Sequence, residues 1–143
     1  MWISDVLQTK GSGVVTVPPE TTVASLLATL ADKGIGSIVI STDGIDILGI
    51  VSERDVVRQL HWSGEAVLAA PVSSIMTATV ITCDRHEELE SAARIMTDNR
   101  IRHIPVVDED GRLEAIVSIG DIVKHRIDQL QAERDQLVAY IQG

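Results

Sequence analysis

Ser52 and Asp55 stand in the stretch GIVSERDVV (residues 49–57), and Ser118 and Asp121 stand in AIVSIGDIV (residues 115–123). Each pair follows an apolar run of strand type and opens a segment with helical spacing. A serine with an acid three residues on can cap a helix, each side chain taking one orphan backbone N–H. The same geometry suits a ligand. A strand running straight into a helix turns backbone N–H groups outward, toward a phosphate or another polar group. A carboxylate one turn in can accept hydrogen bonds from both hydroxyls of a ribose. One such motif reads as a cap. Two in register favour binding, with capping as a second role of the serines.

The repetition extends well beyond the motif, at an offset of 66 residues (118 − 52). Val14-Val-Thr16 falls on Val80-Ile-Thr82, Ile35 on Ile101 and Ile38 on Ile104, without a gap from residue 14 to 57. Each copy reads as a short β run (Val14–Val17; Val80–Thr82), then a helix. The first helix carries Val23, Leu26, Leu27 and Leu30 up to Gly34; the second runs near Glu87–Asn99. Two strands follow around a turn, Thr42-Asp43-Gly44 or Asp108-Glu-Asp-Gly111, and then a second helix. The expected fold class is α/β (α+β), two pseudo-symmetric β-α-β-β-α units with a C-terminal helix. One unit of about 60 residues buries little apolar surface alone, so the two are expected to pack face to face. The division is read as 1–66 for the first unit and 67–143 for a linker helix, the second unit and the tail. In that tail Val123, Ile127, Leu130, Leu137 and Ile141 recur at four- and three-residue steps, suited to packing back on the module or to pairing with another copy.

The 143 residues are 45% apolar with no Phe, so Ile, Val, Leu and Ala must fill the interior. A formal charge of −9 opposes general binding to nucleic acid or anionic membranes. Cys83 is the only cysteine, which excludes an intramolecular disulfide and points to a reducing, cytoplasmic setting. Trp2–Val6 lacks the pattern of a signal peptide, and no run is long enough to span a bilayer. His86-Glu-Glu-Leu-Glu90 lacks the second histidine of a zinc protease motif. Lys10-Gly-Ser-Gly13 is too short for a P-loop, and Arg112 spoils Asp108–Gly111 as a calcium loop. No metal set and no nucleophile–base pair is found, so neither a metal nor catalysis is expected.

GIVSERDVVRQL, AIVSIGDIVKHRI and the long second copy from Val72 to Ser118 together resemble a tandem pair of cystathionine β-synthase (CBS) domains, a Bateman module, over about residues 1–130. The resemblance implies an adenosine-containing ligand between the units: AMP, ADP, ATP or NAD(H), with S-adenosylmethionine ranked behind them. It implies that Asp55 and Asp121 hold ribose hydroxyls and that Ser52 and Ser118 contact ribose or phosphate. Val15, Thr16, Ile81, Thr82 and Met76 would lie beside adenine, Asp55 working with Ile81 and Thr82, and Asp121 with Val15 and Thr16. Arg102 and His103 would meet phosphates, whereas their counterparts Gly36 and Ser37 carry no charge. Arg54 precedes Asp55, but Gly120 precedes Asp121, so phosphate chemistry is expected to concentrate at the Asp55 site. The implied protein is a stand-alone nucleotide sensor, homodimeric, that signals to a separate partner. A ligand-free scaffolding dimer, its motifs serving only as caps, is the alternative.

Overall fold

Apolar spacing and caps decide where the helices form. In the computed structural model, which describes residues 1–11 and 13–143, α2 spans Val23–Lys33 and buries Val23, Leu26 and Leu30 on one face. Thr22 caps it, its side chain accepting from the Ser25 N–H at 3.1 Å, and Gly34 ends it with φ 63°. The second copy repeats this as α4 (Leu89–Asp98), burying Leu89, Ala92 and Met96. It starts two residues later than the spacing predicts, because Asp84 accepts from the His86 N–H at 2.7 Å and holds the entry as a turn. Ser12, within the Lys10–Gly13 stretch set aside above, lies outside the described residues.

In the first unit β1 (Thr16–Val17) pairs parallel with β2 (Ser37–Ile40), which pairs antiparallel with β3 (Gly49–Ser52). α3 (Glu53–Ser63) follows directly. The second unit has β4 (His103–Val107) antiparallel to β5 (Leu113–Ser118), joined by the Asp108–Gly111 turn and followed by α5 (Ile119–Gln142). The expected run at Val80–Thr82 is not a strand; a single parallel bridge, Cys83 to Val106, stands in its place. Val39 pairs with Thr16 in the first unit, and its counterpart is Pro105. Proline has no N–H to continue the ladder.

The cores do not follow the linear order of the chain. A helix not expected from the sequence, α1 (Ile3–Lys10), inserts Ile3 and Val6 among Leu89, Met96, Ile104, Val117 and Ile122 of the second unit. Conversely, two short 3₁₀ turns at Gly64–Ala69 and Val72–Ser74 insert Val67 and Val72 among Leu26, Ile38, Val51 and Val56 of the first. Backbone bonds secure both crossings. Ile3 N donates to Glu87 O at 2.8 Å, and Val72 N donates to Thr21 O at 2.7 Å. Cys83 is buried in the second core, and burial, with Glu87 and Asp84 adding to it, pushes the thiol up to about 12.

Beyond Gln129 every residue of α5 is exposed, so this part of the tail does not fold back on the module. Among the described residues no helix is long and apolar enough to cross a membrane. Because Ile3 is fully buried in the second core, Ile3→Ala is expected to cost about 2–5 kcal/mol. Urea unfolding should show that loss, and hydrogen exchange should place it in α4, β4 and β5 rather than in the first unit.

Candidate functional site

Both Ser-x-x-Asp motifs form complete capping boxes. Ser52 Oγ accepts from the Asp55 N–H at 3.3 Å, and Asp55 Oδ2 accepts from the Ser52 N–H at 2.8 Å. Ser118 and Asp121 do the same at 3.0 and 2.9 Å. Only the first pair opens onto the main cleft, a space of about 540 Å³ walled by residues of both units. That size suits a nucleotide-like small molecule. Among the described residues Asp55 Oδ1 accepts no hydrogen bond, so the cap engages one oxygen and leaves the other for the cleft.

The seam between the units builds the opposite wall. Thr77 and Ile50 exchange backbone hydrogen bonds at 3.0 Å, which lays residues 77–81 beside β3 and brings Ile81 to the Asp55 side. Of the residues singled out in the sequence, Ser52, Arg54, Asp55, Ile81, Arg102 and His103 line this one cleft. Thr82 is exposed beside it without lining it, and Met76 packs against the first core. Val15 and Thr16 lie half-buried at β1, and Ser118 and Asp121 at the start of α5, all outside this cleft.

Four arginines, 54, 58, 100 and 102, line the cleft together with Glu53 and Asp55, so an acidic chain concentrates positive charge here. Arg54 Nη1 also donates to Arg100 O at 3.3 Å, tying one unit to the other. Forked guanidinium groups suit phosphate oxygens. Burial pushes the His103 imidazole below its ordinary range, the charges of Lys10 and Arg102 act the same way, and Asp121 and Glu53 oppose them. His103 is therefore neutral near pH 7. A Cβ on Gly36 would come within 3.1 Å of the His103 ring, so the closeness of the two units there depends on a missing side chain. Beside Gly36, Ser37 is 4% exposed and its Oγ has no hydrogen-bond partner among the described residues, although it lines the cleft. A buried hydroxyl left unpaired costs about 1–3 kcal/mol, a cost that a polar ligand atom would remove.

Asp121 is engaged differently. Lys10 Nζ lies 2.5 Å from its Oδ2 and donates also to Ile116 O at 2.7 Å. Burial pushes the Asp121 carboxyl up, but the hydrogen bonds from Lys10 and Ser118 and the Lys10 charge outweigh it and hold the group below its ordinary value.

A family model described as "CBS domain" matches the chain twice, over residues 3–61 and 72–128. The chain belongs to the CBS domain family. Its two matched segments carry the two copies of the repeat, and the mixed α/β fold with a C-terminal helix is that of solved CBS pairs. The CBS-domain containing protein ATU1752 from Agrobacterium tumefaciens superposes with a TM-score of 0.84 at 41% identity, over 88% of this chain and 99% of that one. The CBS domain-containing protein CBSX3, mitochondrial, from Arabidopsis thaliana is 34% identical over 99% of this chain and 72% of its own length. The CBS domain protein PAE2072 from Pyrobaculum aerophilum, solved in complex with AMP, superposes with a TM-score of 0.75 at 28% identity over 85% of this chain and 89% of that one.

This CBS pair also carries cleft residues that sequence reasoning did not select. Arg58 lies one helical turn after Arg54, a spacing that puts both on the same face of α3. Thr77 and Thr79 arrive with the crossing segment, and Ser37 looked inert because it is uncharged. Arg100 had a legible signal. It occupies the position of Gly34, where the repeat needs the left-handed conformation, and it adopts φ 55°. For a residue with a side chain that conformation costs about 1–2 kcal/mol. Arg100→Gly is expected to relieve this strain, offset by about 0.4–1 kcal/mol of added unfolded-state entropy. The ligand-free variant should therefore melt slightly higher than wild type in a thermal scan; a clear fall would show that the arginine side chain stabilises the fold.

Proposed function

We propose that this CBS pair is a stand-alone regulatory module that binds an adenosine-containing ligand, AMP, ADP, ATP or NAD(H), in the cleft between its units. The observation that carries this reading is the convergence on one cleft of the Asp55 carboxylate, the orphaned Ser37 hydroxyl and four arginines. In it Asp55 accepts from ribose hydroxyls, Ile81 lies against the base with Thr82 and Met76 at its margin, and Arg54, Arg102 and His103 take the phosphate. The AMP complex of the 28%-identical PAE2072 supports an adenine nucleotide. S-adenosylmethionine ranks lower, because its sulfonium and ammonium are repelled by an arginine-lined wall that only its single carboxylate can meet. The paired roles of Asp121, Ser118, Val15 and Thr16 belong to a second, related site.

The output is a change in the relative position of the units, read by a partner protein. Arg54 and the segment at residues 77–81 already bridge them, so a ligand that prefers one arrangement can shift it. Because each core borrows a segment across the seam, residues 1–66 and 67–143 work as one module. Val57 and Trp62 on α3, and Val123 and Ile127 on α5, are exposed apolar side chains by which two copies would pair. The reading places the protein in the cytoplasm, consistent with a buried, unpaired cysteine and an acidic surface that suits neither nucleic acid nor membrane. The capping boxes at both motifs favour the second reading, a scaffolding dimer whose acids serve only the helices.

Thermal melting separates the two. AMP at one hundred times its dissociation constant should stabilise the protein by about 2.7 kcal/mol, and Asp55→Ala should abolish that shift. A scaffold would melt identically with and without AMP, ATP or NADH.

The histidine sets a pH dependence with a definite sign. His103 is neutral in the free cleft, and a phosphate beside it favours the protonated form, so binding takes up protons and affinity rises as pH falls below 7. Calorimetry in buffers of different ionisation enthalpy should detect the uptake. His103→Gln should reduce it to the part contributed by the nucleotide phosphate itself.

A further inference from the structure

The first copy carries more chain between its leading segment and its first strand than the second copy does. Ile3 and Val72 make equivalent crossing bonds 69 residues apart (72 − 3), whereas Val14 and Val80 are 66 apart (80 − 14). The added length lets α1 continue to Lys10, whose side chain reaches the start of α5. Its two acceptors there, Asp121 Oδ2 at 2.5 Å and Ile116 O at 2.7 Å, are the repeat counterparts of groups on Asp55 and Ile50. In the first unit those groups are served separately. Ile50 O takes the Thr77 N–H at 3.0 Å, and among the described residues no cation pairs with Asp55, whose Oδ2 meets only the Ser52 cap. In the second unit one tethered cation holds both acceptors. An ammonium offers a carboxylate the same kind of donor that ribose hydroxyls would offer, with a full charge added.

We infer that Lys10 is an intramolecular competitor for the Asp121 carboxylate, and that it leaves the pair with one working nucleoside site, the Asp55 cleft. The inference rests on the reading of Asp55 and Asp121 as ribose-binding acids. It names the residue that makes two symmetric motifs unequal, in addition to Gly120 and Gly36 standing at the repeat positions of Arg54 and Arg102. The contact is exchangeable: the Lys10 and Asp121 side chains are 34% and 27% exposed, so water and ligand both reach the pair. A salt bridge with that exposure contributes little to folding. Its effect therefore falls on occupancy of the carboxylate more than on stability.

The test is calorimetric titration of the full chain with AMP. Wild type is expected to bind one AMP per chain. Lys10→Met should bind two, with affinity at the second site raised roughly tenfold or more over any weak second phase in wild type. Lys10→Met combined with Asp121→Asn should return to one. Lys10→Gln, which keeps the stem and a donor for the Ile116 carbonyl, supplies the same comparison if the methionine variant fails to fold. Folded Lys10 variants that bind a single AMP, like wild type, would overturn the competitor role and leave the Asp55 reading standing. Two equivalent sites in wild type would overturn it as well. If wild type and variants alike take up no AMP, the nucleoside reading itself falls, and the role of Lys10 with it.

Discussion

Neither unit completes its own hydrophobic core. The second draws Ile3 and Val6 from the start of the chain, and the first draws Val67 and Val72 from the connection between the copies. Each crossing is locked by backbone hydrogen bonds at the entry of α2 or α4, so the segments cannot slide without exposing both apolar side chains and polar main chain. The units are thereby held face to face by burial that each needs separately. A domain of this size has too little apolar surface to leave a core half filled.

That exchange also makes the cleft. The segment that delivers Val72 to the first core continues past Thr77 along β3, and so places Ile81 opposite the capping box of α3. The connection from α4 to β4 then brings Arg100, Arg102 and His103 to the same space. Two features there are unfavourable for the empty fold: an arginine in the left-handed region and a buried serine hydroxyl without a partner. Such features persist where the surroundings enforce them, and they cluster at binding sites. The pseudo-symmetry that created two motifs is broken at the other end by α1, whose last residue sits on Asp121.

Much of this was legible beforehand, because periodicity and caps act over short distances. Thr22 with Val23, Leu26 and Leu30, Ser52 with Asp55, and Ser118 with Asp121 each specify a helix start by contacts within a few residues. Pro105 was equally readable in principle as the residue that interrupts the second copy's first strand, yet repeat symmetry argued the other way. Ser37 could not have been selected. Its importance lies in what surrounds its hydroxyl, and no neighbour in sequence reveals that.

By itself, then, the amino-acid order determined the duplication, the kinds of elements and their caps, and the two acids at equivalent helix starts. Those are properties of local spacing and of self-similarity along one chain. Only the folded molecule decided which core each leading segment fills, which motif faces a cavity and which is met by Lys10. Those outcomes depend on contacts between residues 46 and 111 positions apart, as in Arg54 with Arg100 and Lys10 with Asp121. At such separations the geometry of packing governs proximity, and sequence spacing carries no record of it.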